Sequence, residues 1–102
     1  MRSYFEEKIA QCKDRKHALL AEYRADEAVF EEVRCNVYGI FQTIWNMDRG
    51  VPFFLEKLEA IPQNWKKALA RAQEHHDVKA AVMETIKLET IREIRQALED
   101  RT

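Results

Sequence analysis

Apolar residues recur at three- and four-residue steps along the first half of the chain: Phe5, Ile9, Cys12, Leu19 and Tyr23, then Phe30, Val33, Val37, Ile40, Ile44 and Met47. Such steps place side chains on one stripe of a helix. Ser3 and Glu6 have the Ser-x-x-Glu spacing of a capping box that would open it. Steps through Lys16 and Asp26 join the two sets without a change of phase, and no Gly or Pro lies between Ser3 and Tyr38. The pattern therefore favours one continuous or kinked helix over residues 3–47, roughly 68 Å long at ~1.5 Å per residue. The alternative is a helix pair broken near Asp26, because Lys16 and Asp26 would both sit on the apolar stripe and Asp26 could N-cap a second helix. Residues 23–28, Tyr-Arg-Ala-Asp-Glu-Ala, include none that turns a chain easily, which favours continuity. A straight helix holds Cys12 and Cys35 about 35 Å apart. A hairpin turning near Tyr23 and Arg24 would bring them almost opposite one another. The continuous helix accordingly expects no intramolecular disulfide on mild oxidation.

Helix breakers concentrate in residues 46–65. Gly50 suits the left-handed position after a helix C-terminus. Pro52 and Pro62 suit first helical turns, predicting short helices over residues 52–59 and 62–75. Trp65, Leu69 and Ala72 form the stripe of the second. A last helix is predicted over residues 78–99, where Val82, Met83, Ile86, Ile91, Ile94, Ala97 and Leu98 cover roughly half its circumference.

The expected fold is all-α: a helical bundle in which the long N-terminal helix, or its broken pair, packs against two short helices and a long C-terminal helix. Composition agrees. The 102 residues are 46% hydrophobic and 34% charged, with two Gly and two Pro, and strand alternation is missing. That length suits one domain over residues 1–102. The formal net charge of −1 gives no electrostatic reason to bind nucleic acid or anionic lipid. No run approaches the ~18 apolar residues of a membrane span. Glu6 and Glu7, with no apolar core beside them, do not resemble a signal peptide. Two cysteines without an export signal suggest reduced thiols in a cytoplasm.

Residues 74–77, Glu-His-His-Asp, are the one cluster of metal-ligand types. Consecutive helical residues point about 100° apart, so Glu74, His75, His76 and Asp77 cannot share an ion while a helix continues. A helix junction accounts for all four. The histidines close one helix, where positive or dipolar groups are favourable, and Asp77 caps the next. No metal or cofactor is expected. Asp14 and His17 could share a face, but a carboxylate-bridged metal bundle needs several such arms. Cys12 and Cys35 read as small buried hydrophobes. One serine, Ser3, and two isolated glycines leave no serine-hydrolase set and no phosphate loop.

Six of the ten aromatic residues fall between Tyr38 and Trp65. Tyr38, Phe41 and Trp45 form a second stripe about 100° from Val37, Ile40 and Ile44, with Gly39 inside it. A close helix approach at Gly39, or space for Phe53 or Trp65 to pack, would explain that glycine. Two functions follow. The first is a non-enzymatic interaction or scaffold module that self-associates as a homodimer, because apolar faces this broad call for cover. The alternative is a small-molecule binding or sensing protein with an aromatic-lined pocket around Tyr38, Trp45 and Trp65. Tyr38, Phe41, Trp45, Phe53, Phe54, Trp65 and Ile94 are the candidate pocket or interface residues for both. No nucleophile, base and orienting group come together to suggest an enzyme.

Overall fold

A computed structural model describes residues 1–101, and the chain is all-α. Five helices follow one another: α1 (Arg2–Ala21), α2 (Ala25–Asn46), α3 (Val51–Ala60), α4 (Pro62–Glu74) and α5 (Val78–Asp100). The described residues fall into two compact units, divided between Asp48 and Arg49.

In the first unit the expected continuous helix is instead a hairpin. The helices are antiparallel: the rings of Tyr4 and Tyr38 meet edge-on with centroids 6.1 Å apart, and further along α1, where the partners lie earlier on α2, Arg15 meets Glu31 at 3.7 Å and Lys16 meets Glu32 at 3.5 Å. The helix pair of the alternative reading is the one that forms, and its break centres on Tyr23, just before Asp26. Tyr23 takes the left-handed conformation, with φ 61°. Its N–H donates to the Leu20 carbonyl at 3.1 Å, and the Arg24 N–H donates to the Leu19 carbonyl at 2.8 Å. This is the Schellman closure usually built around glycine. A left-handed tyrosine costs roughly 1–2 kcal/mol; two backbone bonds and the burial of one helix on the other offset it. The hairpin also resolves the polar intruders. Lys16 pairs across it, while Asp26 is exposed in the first turn of α2, where a carboxylate faces the positive end of the helix dipole. Ser3 is not a cap: α1 starts at Arg2 with Met1 at the N-cap position and no side-chain cap bond.

After α2 the left-handed position falls to Asp48, φ 54°, rather than to Gly50. Gly50, φ 90°, occupies the N-cap of α3, a conformation few other residues accept. Gly39 needs no close approach either, since a Cβ built there would meet nothing within 4 Å. Gly39→Ala is therefore expected to stabilise the chain by about 0.5–1 kcal/mol through reduced backbone entropy in the unfolded state. Chemical denaturation checks this, and a lower unfolding midpoint for the variant would contradict it.

In the second unit, Ile61 keeps helical dihedrals (φ −61°, ψ −44°) between α3 and α4. Pro62 makes the break, because it has no N–H to offer the preceding turn. Arg95 meets Glu59 at 3.4 Å, and the Lys87 ammonium lies 5.6 Å from the Trp65 ring centroid. These pairs set α4 antiparallel to α5, with the end of α3 alongside. Thr90 is fully buried on α5, and its hydroxyl donates to the Ile86 carbonyl at 2.7 Å, so the burial leaves no donor unmet.

Candidate functional site

The α4–α5 turn repeats the architecture of the α1–α2 turn. His76 is left-handed, φ 56°. Its N–H donates to the Gln73 carbonyl at 3.2 Å, and the Asp77 N–H donates to the Ala72 carbonyl at 2.9 Å. One Asp77 carboxylate oxygen then accepts from the Ala80 N–H at 3.1 Å and caps α5. Residues 74–77 thus form the helix junction that their spacing implies. Among the described residues, no group of three or more His, Cys, Asp or Glu side chains is placed to hold a metal ion.

The six aromatic candidates and Ile94 divide between the units. Tyr38, Phe41 and Trp45 lie on α2; Phe53 and Phe54 lie on α3, Trp65 on α4 and Ile94 on α5. Tyr38, Phe41, Phe54 and Ile94 are buried, whereas Trp45, Phe53 and Trp65 are half-buried. The half-buried rings in the second unit carry cations. The Arg49 guanidinium lies 4.1 Å and the Lys57 ammonium 5.3 Å from the Phe53 ring centroid. Lys87, above Trp65, also pairs with Glu84 at 3.0 Å. Aromatic faces attract cations by roughly 0.5–1 kcal/mol at exposed sites.

A concave feature of the second unit lies elsewhere. An apolar groove of about 530 Å³ runs beside the α4–α5 turn, lined by Ala72, Val78, Ala81, Val82 and Ile86, with Gln73, His76, Asp77, Thr85 and Glu89 at its polar edge. Val78 is 74% exposed and Val82 is exposed beside it. The sequence pattern placed Ala72, Val82 and Ile86 on apolar stripes and treated Val78 only as a helix start. What it missed is that the turn at His76 leaves this corner uncovered. The three-residue step from Val78 to Ala81 and four-residue steps from Val78 to Val82 and from Val82 to Ile86 were the available signal.

Several charges in the first unit are paired at its surface. The Arg24 guanidinium donates to Glu27 and to Glu22, the latter at 3.1 Å, which holds Arg24 protonated and keeps the Glu27 carboxyl below its usual range. These groups lie in solvent and flank the α1–α2 turn. Leu20, Ile40 and Met47 are large apolar side chains left exposed on the same unit.

No model of a known protein family matches the chain, and no curated protein or solved structure is significantly similar to it. No described helix is long and apolar enough to cross a membrane.

Proposed function

We propose that this chain is a small non-enzymatic helical protein that self-associates as a homodimer and works as an interaction or scaffold module. The α4–α5 groove carries the reading. Its floor is apolar, its edge is polar, and Val78 and Val82 stand exposed beside it. An interface has this layout, with an apolar centre and a hydrated rim. Covering such surface yields roughly 25 cal/mol per Å² before the cost of association. The aromatic residues offer less to a ligand. Tyr38 is buried, so a small molecule using its ring would first have to displace core packing.

The reading makes stability depend on protein concentration, since association favours the folded chain by mass action. The melting temperature is expected to rise as concentration goes from low to high micromolar. Val82→Glu, a change at an exposed helical position, should remove that dependence while preserving the helical spectrum. A wild-type melting temperature independent of concentration would overturn the proposal.

A further inference from the structure

We infer that Cys12 and Cys35 form a redox-sensitive pair, which a small-molecule disulfide converts into an intrachain bond that braces the α1–α2 hairpin.

The register carries the inference. Arg15 pairs with Glu31 and Lys16 with Glu32, so residues whose numbers add to about 47 lie at one level of the hairpin. Cys12 and Cys35 satisfy that relation. Tyr4 against Tyr38 keeps the helices together toward the open end. Both cysteines are free thiols; Cys12 is 1% exposed and Cys35 is partly exposed. Packed helices have axes about 8–10 Å apart and Cα atoms about 2.3 Å from each axis. Facing Cα atoms can therefore approach to about 3.4–5.4 Å, which overlaps the span of about 4.4–6.8 Å that a disulfide bridges.

Unequal burial orders the chemistry. The partly exposed Cys35 thiolate attacks glutathione disulfide, forms a mixed disulfide and expels one glutathione thiolate. Cys12 then loses its proton to solvent and attacks the Cys35 sulfur. The second glutathione thiolate leaves, and the Cys12–Cys35 bond remains. The two thiols lose two electrons and two protons, and glutathione disulfide takes up the electrons as it becomes two thiols. The second step is the slow one. Burial pushes the Cys12 thiol up to about 11, Glu31 and Cys35 push it the same way, and Arg15 and Arg34 oppose them. Closure should therefore accelerate close to tenfold per pH unit between neutral and mildly alkaline pH, as the Cys12 thiolate fraction grows.

The test uses dilute full-length chain in a glutathione redox buffer. Intact mass and thiol alkylation are read over time, followed by thermal melting of the product. The expected product is a single chain that has lost two hydrogens, has no alkylatable thiol and melts higher by on the order of 10 °C. Cys12→Ala should stop at a glutathione adduct on Cys35, and reduction of the wild-type product should return the original melting temperature. Thiols that stay free, a persistent wild-type adduct or cross-links only between chains would each overturn the inference.

Discussion

Replacing Ile94 with glutamate should abolish cooperative folding. Ile94 is 0% exposed on α5, in a run that also buries Ile91, Ala97 and Leu98. The substitution removes an apolar side chain, contributing roughly 1.5–3 kcal/mol by burial, and puts a carboxylate in its place. An unpaired buried charge adds several kcal/mol more, or is protonated at a similar penalty. Small domains have only about 5–15 kcal/mol in total. Circular dichroism should therefore show lost helicity or a broad, non-cooperative melt. Ile94→Val, which removes one methylene, should fold and lose about 0.5–1.5 kcal/mol. A cooperative Ile94→Glu melt within a few degrees of wild type would mean that Ile94 is not enclosed.

Phe41→Ala should be the most damaging simple truncation in the first unit. The ring is 0% exposed on α2, close in sequence to the buried Val37 and Tyr38. Its removal leaves a cavity that the neighbouring side chains can fill only in part, at about 3–5 kcal/mol. The urea midpoint should fall sharply with little change in the slope of the transition. An effect below about 1 kcal/mol would mean that the aromatic stripe is peripheral to the core. Phe41 and Ile94 were both candidate interface residues, but their burial directs the strongest effects to folding; the exposed Val78 and Val82 are the better probes of association.

The sequence was most informative where packing decides and least informative at the turns. The steps from Phe30 through Met47 and from Val82 through Leu98 identified helices because each needs one buried face. Pro52 and Pro62 located the two short helices to within a residue or two, since a missing N–H fixes where a helix can start. A turn near Tyr23 and Arg24 was the alternative, but the local pattern favoured continuity over the break. Tyrosine has no turn preference, and its left-handed backbone is stabilised by tertiary burial that no local pattern records. His76 shows the same substitution of a bulky residue for glycine, but there Asp77 announced the following cap. The left-handed position expected at Gly50 fell to Asp48 for a related reason: both tolerate unusual dihedrals, so composition cannot say which of two nearby positions is left-handed. The groove beside Val78 was hidden because exposure depends on where neighbouring helices stop. The facing of Cys12 and Cys35 followed only from the hairpin alternative, because it depends on the turn at Tyr23.

The most direct test of self-association is the mass of the chain in solution, followed by light scattering from low to high micromolar concentration. The proposal predicts a rise from the 12.1 kDa of one chain toward twice that value, and a mass held at one chain for Val82→Glu. A wild-type mass fixed at 12.1 kDa throughout that range would contradict it.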